Sequence, residues 1–198
     1  VMLLDIRWWL ESLMPMKNKA RQLPKKNTPR LSSSSRVASA LSAPKLSLSV
    51  QYALAAKSLP RWRLRRWIER AVAYGANESV NNVQLTLRLV GSVESERLNF
   101  GYRTKPKPTN VLTFAYNESN TDALIFADIV ICTPVLKEEA RAQGKAYLDH
   151  AAHLVVHGTL HALGYDHIKP AQARLMEGLE RKILASLSID DPYGAEIK

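Results

Sequence analysis

Alternating apolar and polar residues predict four β-strands. Leu46–Tyr52 places an apolar side chain at every second position, and Val83–Leu89 repeats the pattern. A period of two is typical of a strand with one buried face. The apolar runs Val111–Tyr116 and Leu124–Cys132 predict a third and a fourth strand.

A helical period predicts the elements between and after these strands. Ser58 and Pro60 are expected to start the first helix as its cap and its first-turn proline. Its apolar stripe consists of Leu64, Trp67, Ile68, Ala71 and Val72. Ser92 is expected to cap a short second helix that runs to about Tyr102.

Three more helices are predicted in the second half of the chain. Thr133 and Pro134 are expected to start one as its cap and first-turn proline, and Gly144 ends it. Leu148–Leu163 is apolar on nearly every side and therefore buried. Pro170 opens the last helix, whose apolar stripe is Met176, Leu179, Ile183 and Leu187. Strands at the front and helices at the back favour an α+β fold, with a small mixed four-stranded sheet packed against helices.

Residues 1–45 differ from the rest and are predicted to lie outside the folded domain, residues 46–198. They hold nine Lys or Arg and two acids, a net charge of +7, against +3 for the domain. Low apolar content and the Ser32–Ser35 run favour a disordered basic extension. A transit peptide, or a gene start placed too far upstream, would give the same pattern.

Composition and charge narrow the classes of protein to which the chain could belong. Leu3–Met14 is apolar but interrupted by three charges, so it is too short and too charged for a membrane span. The single cysteine, Cys132, excludes an intramolecular disulfide and suits a reducing compartment; it is predicted to be a buried thiol. The weak charge of the domain does not by itself indicate nucleic-acid binding.

Two basic segments leave a structural and a functional interpretation open. The first helix carries Arg61, Arg63, Arg65, Arg66 and Arg70 outside its apolar stripe. These form either a solvated face or a patch for an RNA backbone. Arg103–Asn110 is a proline-stiffened basic loop, with the same two interpretations for Arg103, Lys105 and Lys107.

The most informative stretch is His157–His167, which reads H-G-T-L-H-A-L-G-Y-D-H. Histidines four residues apart lie on one helical face, about 6 Å apart along the axis, so both can reach one ion. Gly164 is expected to end the helix in the left-handed conformation and return the chain, which brings His167 to the same ion. Three nitrogens plus water is the pattern of a catalytic zinc site.

This spacing is also that of the metzincin peptidases, with one difference. Those enzymes have Glu, the general base, directly after the first histidine, where this chain has Gly158. His153 shares the helical face, but three histidines spanning about 12 Å cannot share one ion. His153 and His150 are therefore predicted to pack around the site.

The combined motifs resemble the YbeY endoribonucleases, a bacterial family of ribosomal RNA maturation factors. The resemblance covers Leu46–Lys198 and excludes residues 1–45. Its matching stretches are Leu98–Asn99 with Tyr102–Arg103, Lys107–Phe114, Asp128–Cys132, Val156–His161 with Gly164–His167, and Asp191–Tyr193. Thr113 stands where the family usually has Ser, and Ala127 where it usually has Gly.

The resemblance implies a zincin-like fold with the zinc site at the end of a buried helix, and one zinc ion held by His157, His161 and His167. It implies a single-strand-specific endoribonuclease in the cytoplasm, with no membrane association. The activity would mature the 3′ end of small-subunit ribosomal RNA and serve ribosome quality control. Partners would be ribosomal RNA and the small subunit, with ribosomal proteins and an assembly GTPase.

The resemblance also places Arg103 in catalysis, and a planar guanidinium suits bidentate contact with phosphate. Lys105 and Lys107 would bind the RNA backbone without sequence preference. Two other functions remain open from the sequence: a metzincin-like metallopeptidase, and a non-catalytic ribosome-assembly factor whose zinc is structural.

Overall fold

A four-stranded mixed sheet forms one layer of the computed structural model, which describes residues 43–117 and 123–194. The strands are β1 (Lys45–Tyr52), β2 (Asn82–Val90), β3 (Val111–Ala115) and β4 (Leu124–Cys132). Their order in the sheet is β1-β2-β4-β3. β1, β2 and β4 are parallel, and β3 pairs antiparallel with β4 at one edge.

Five helices are described: α1 (Arg61–Gly75), α2 (Ser92–Arg103), α3 (Thr133–Ala142), α4 (Tyr147–Ala162) and α5 (Pro170–Ser186). α4 is the central helix, because it packs against β3 and β4 as well as against α1, α3 and α5. Ten of its residues are buried, which agrees with the predicted apolar sequence on nearly every side. The mixed sheet packed against helices is confirmed, and each strand matches its predicted bounds to within one residue at either end.

Three predicted helix caps are wrong. The N-cap of α3 is Cys132, and Thr133 is already the first helical residue. The N-cap of α1 is Pro60, which has no hydroxyl, and Ser58 lies in the preceding turn, where its carbonyl accepts from Arg63 Nη1 at 2.7 Å. The N-cap of α2 is Gly91, and Ser92 is already the first helical residue. β2 ends at Val90, so one residue separates it from α2 and leaves no place for a serine cap outside the helix.

The predictions for the start of the domain, for residues 1–45 and for Cys132 have different outcomes. β1 begins at Lys45, one residue before the predicted start of the domain. The prediction for residues 1–45 falls almost entirely outside the described residues and stays a prediction. Cys132 is a buried free thiol, as predicted. Among the described helices, none has the length and apolar content that crossing a membrane requires.

Candidate metal centre

The end of α4 brings three histidines together. His157 and His161 lie one turn apart on the helix, and Leu163 ends it with a backbone bond to the Thr159 carbonyl. Gly164 has φ +90°, a conformation that glycine tolerates and that reverses the chain. The reversal places His167 beside the two helical histidines, with ring centroids 5.4 Å from His157 and 4.9 Å from His161.

The three side chains fit one small cation. One nitrogen from each lies within 4.8 Å of the others. The Nε2 atoms of His157 and His161 are 3.1 Å apart. Two zinc–nitrogen bonds of about 2.0–2.1 Å at a tetrahedral angle place the nitrogens about 3.4 Å apart, so little adjustment is needed. In the described residues, this group contains no fourth His, Cys, Asp or Glu.

Hydrogen bonds on the far side of the two helical rings, His157 and His161, fix their tautomers. His161 Nδ1 lies 2.8 Å from the Tyr165 carbonyl oxygen, and His157 Nδ1 lies 2.8 Å from Glu180 Oε1. A carbonyl and a carboxylate only accept, so both Nδ1 atoms must carry the proton. With both Nδ1 atoms as donors, the Nε2 atoms of His157 and His161 face each other. In the neutral form of the two rings each Nε2 carries a lone pair, which a shared cation satisfies and a hydrogen bond between the rings does not.

The environment keeps one of these ligands neutral. Burial, together with the neighbouring His157 and His167, lowers the pKa of His161 to about 4. At neutral pH its imidazole is uncharged, which is the form that binds a metal.

Glu180 of α5 is the site residue that sequence reasoning missed. Its side chain is fully buried, and besides His157 it meets His153, whose Nε2 lies 3.3 Å from Glu180 Oε2. Tyr193 also donates to Oε2. Burial alone would raise the pKa of Glu180, but the hydrogen bonds from His153, His157 and Tyr193 outweigh it and lower the pKa to about 2.

A sequence signal for Glu180 did exist. It lies four residues after Met176 and three before Ile183, so an acid interrupts the apolar face of the last helix. A charged residue at such a position is buried only when it is paired. Histidines on α4 were the available partners.

His153 and His150 lie outside the three-histidine group. His153 meets Glu180, and His150 Nε2 lies 3.0 Å from Glu139 Oε2. A nitrogen of His153 also lies close to His157 and Glu180, which makes a second cluster of possible ligands. In that second cluster, His157 Nδ1 donates its proton to Glu180. The nitrogen and the carboxylate therefore form a hydrogen bond with each other.

A cleft of about 570 Å³ opens over the three histidines, and Arg103 forms part of its wall. Arg103 is the last residue of α2, and Thr104 follows with φ 56° and turns the chain into the basic loop. The loop is held against α2 by two buried side chains: Ser95 Oγ donates to the Thr109 carbonyl at 2.8 Å, and Asn99 Nδ2 donates to the Lys107 carbonyl at 2.8 Å.

The three predicted basic residues have different positions. Arg103 is exposed in the cleft and has no ion pair with any described residue. Its guanidinium is therefore available to a phosphate. Lys105 and Lys107 are exposed on the loop and do not line the cleft. The structure thus brings Arg103 together with the histidines and leaves the two lysines farther out.

Gly158 lies where a metzincin has its glutamate, and the sheet occupies that space. A Cβ added there would stand 2.9 Å from Ile129 Cγ2 and 3.2 Å from Thr113 Oγ1. Thr113 also donates to the Gly158 carbonyl at 3.3 Å. α4 lies so close to β3 and β4 that even a methyl group is crowded against their side chains, and a glutamate would be more so.

We expect Gly158→Ala to destabilise the fold by about 1 kcal/mol. Overpacking a core costs roughly 1–3 kcal/mol, and this outweighs the gain of about 1 kcal/mol from replacing a helical glycine. Gly178→Ala in α5 is the matched control, because nothing lies within 4 Å of its added Cβ. It should stabilise by roughly 0.5–1 kcal/mol. Urea unfolding of both variants measures this, and equal stabilisation by both would contradict the close packing at Gly158.

Comparison with known proteins gives a consistent family match. The family model described as Endoribonuclease YbeY matches residues 50–188. A protein named Endoribonuclease YbeY from Bordetella petrii is 58% identical over 155 residues, covering 76% of this chain and 98% of that protein. A second, from Bordetella pertussis, is 55% identical over 154 residues, with the same coverage of both chains.

A more distant relative and one solved structure were also found. The protein named Endoribonuclease YbeY from Alkalilimnicola ehrlichii is 47% identical over 156 residues, covering 76% of this chain and 93% of that protein. A solution structure of a Thermotoga maritima protein superposes with a TM-score of 0.48 at 20% identity, covering 74% of this chain and 99% of that one.

Proposed function

The chain belongs to the YbeY endoribonuclease family, and we propose that it cleaves single-stranded ribosomal RNA with one zinc ion held by His157, His161 and His167. The proposed reaction matures the 3′ end of the small-subunit RNA and contributes to ribosome quality control. Ribosomal RNA, the small subunit, ribosomal proteins and an assembly GTPase are the proposed partners, and the cytoplasm is the proposed compartment.

One observation carries this proposal: the facing Nε2 atoms of His157 and His161 line the same cleft as Arg103, which has no ion pair with any described residue. A cation site beside a free guanidinium suits a substrate that carries negative charge and gains more during reaction. A phosphodiester is such a substrate, and the names of the relatives identify RNA as its source.

A zinc ion at the three histidines would lower the pKa of a bound water to about 7 and polarise a phosphoryl oxygen. The chain contributes the geometry around that chemistry. The Tyr165 carbonyl and the Glu180 carboxylate hold the two helical imidazoles with Nε2 towards the cleft. The short turn through Gly164 keeps His167 beside them.

Arg103 would bind the scissile phosphate. Its planar guanidinium can donate two parallel hydrogen bonds to phosphoryl oxygens, and these strengthen as negative charge develops there. The bonds from Ser95 and Asn99 hold the loop after α2 in place, so the end of the helix is ordered before RNA binds. Pre-ordering lowers the cost of aligning Arg103 in the transition state.

The function is tested by offering the zinc-loaded protein three substrates. A single-stranded fragment spanning the 3′ end of precursor small-subunit RNA should be cleaved, whereas the same fragment annealed to its complement and an unstructured peptide should not. Cleavage of the peptide would support the metallopeptidase alternative. Binding of RNA without cleavage would support the assembly factor.

We expect Glu180→Gln to weaken zinc binding by about 10–100-fold, the usual cost of removing an outer carboxylate from a ligand histidine. The neutral amide polarises His157 less and no longer fixes its tautomer. Glu177→Gln is the control, since Glu177 lies on the same helix, is partly exposed and forms an ion pair with Arg181, at 4.0 Å. Zinc affinity is measured by competition with a chelator. An unchanged affinity in Glu180→Gln would show that Glu180 serves packing alone.

Lys105→Gln and Lys107→Gln should each weaken RNA binding in a salt-dependent way. One phosphate contact contributes about 0.7 to the slope of log K against log salt on a single strand, so each variant should lower the slope by about that amount. Turnover at saturating RNA should change little, because neither side chain lines the cleft. A loss of turnover comparable to that of an Arg103 variant would contradict this division of roles.

A further inference from the structure

The outer face of α1 is basic from Arg61 to Arg70 and carries an exposed aromatic ring near each end. Its exposed residues include Arg61, Trp62, Arg65, Arg66, Arg70 and Tyr74, here called the basic face of α1. Glu69 is the one acid on this helix, and it is paired with Arg65 at 2.7 Å. Arg66 and Arg70 have no ion pair with any described residue, so their charges are free for a partner.

The aromatic side chains of this face are exposed to solvent. Trp62 is 60% exposed and Tyr74 is 44% exposed, at opposite ends of the face. The Arg63 guanidinium lies 4.9 Å from the centroid of the Trp62 ring, which holds the indole from one side. Flat exposed rings interleaved with arginines are the features that bind single-stranded nucleic acid, because bases stack on the rings and phosphates meet the guanidinium groups.

The basic face ends beside the metal cleft. Gly75 follows Tyr74, and its carbonyl accepts from the Tyr165 hydroxyl at 3.0 Å. Tyr165 lines the cleft next to His167. From Trp62 to Tyr74 the helix rises about 18 Å, room for about five phosphates at the stacked-strand spacing of about 3.4 Å.

We propose that the basic face of α1 binds a single-stranded segment of the substrate RNA outside the cleavage site. Arg66 and Arg70 contact its phosphates, and Trp62 stacks on a base. The inference rests on the proposed endoribonuclease function and deepens it: substrates that extend along α1 are preferred over RNA that fills only the cleft. The charge and the open rings favour RNA over an acidic protein, which would leave Trp62 without a stacking partner.

The test compares kcat and KM for a short RNA that fills only the cleft and for a longer RNA extended by on the order of ten nucleotides. The zinc-loaded full chain is used at several salt concentrations. For the longer RNA, Arg66→Gln/Arg70→Gln should lower kcat/KM by roughly 25-fold at 0.1 M salt and reduce its salt slope by about 1.4, since each contact contributes about 0.7. The kcat, the zinc content and all values for the short RNA should stay unchanged.

Trp62→Ala should act differently from the double arginine variant. Losing a stacked base weakens binding by about fivefold or more without removing a charge, so the salt slope for the longer RNA should stay at the wild-type value. Lys137→Gln/Arg141→Gln on α3 is the matched control, because it removes two exposed charges one helical turn apart on another helix.

Two outcomes would overturn the inference. The first is that kcat/KM for the longer RNA falls equally in the α1 and the α3 double variants. The second is that it stays unchanged in the α1 double variant. The face would then be solvated or serve a partner other than RNA. A wild-type chain that cleaves neither RNA would overturn the proposed function itself, so the two failures are distinguishable.

Discussion

Replacing His161 with alanine is expected to remove most of the bound zinc, whereas replacing His153 with alanine should leave the zinc content close to that of the wild type. His161 Nε2 lies 3.1 Å from His157 Nε2, and its other nitrogen is held by the Tyr165 carbonyl. Loss of an outer partner costs about 10–100-fold in metal affinity, so loss of a ligand should cost more than 100-fold. Cleavage should fall with the zinc content.

His153 is a demanding control because it shares the helical face and lies one turn from His157. Its Nε2 lies 3.3 Å from Glu180 Oε2, and its nitrogens are not among those of the three-histidine group. Zinc is measured by elemental analysis of the purified variants, and circular dichroism checks that each is folded. If His153→Ala loses zinc as fully as His161→Ala, the ion lies on the other side of His157 and the ligand assignment is wrong.

Replacing Arg103 with alanine is expected to lower cleavage at saturating RNA by on the order of 10²–10³, the usual cost of removing one preorganised donor to a developing charge. Arg103→Lys should recover part of the rate, because an ammonium carries the charge but cannot donate a bidentate pair. Both variants should keep zinc and the fold, since Arg103 is exposed and contacts none of the histidines through a hydrogen bond.

Arg97→Ala is the matched control for Arg103, because it removes an exposed arginine from the same helix without touching the cleft. Single-turnover kinetics at saturating RNA separates a defect in chemistry from one in binding. If Arg103→Ala cleaves at the wild-type rate once RNA saturates, the guanidinium serves binding alone and the zinc site acts without it.

Most of the fold follows from local patterns in the sequence. The strand Leu124–Cys132 matches its predicted bounds, because its apolar residues supply one face that is buried throughout and, from Ile129 to Cys132, a second buried face. Helix α5 begins at Pro170 as predicted, since proline is tolerated in the first turn. Gly164 adopts the positive φ expected where the chain reverses after α4.

The errors arise where tertiary context decides. Ser58 and Ser92 are good caps by composition, but the adjoining strand and turn place Pro60 and Gly91 at the cap positions. The sequence also does not show which residues of two distant helices meet. Glu180 follows His157 by 23 positions, and their contact depends on how α5 packs across α4.

The sequence and the fold give two separate reasons why Gly158 does not fit a peptidase. In the sequence, glycine at this position means that the glutamate general base of a peptidase is missing. In the fold, Gly158 lies against Ile129 and Thr113, so even an added Cβ would be crowded there. The close approach of α4 to the sheet therefore disfavours a glutamate at this position. The family match agrees, since the relatives carry an endoribonuclease name.

The most direct test of the central claim is metal analysis joined to cleavage of a precursor ribosomal RNA fragment by the same purified protein. The account predicts about one zinc ion per chain, loss of cleavage when a chelator removes it, and recovery when zinc is added back. Cleavage that persists at the full rate after the metal has been removed would contradict the account.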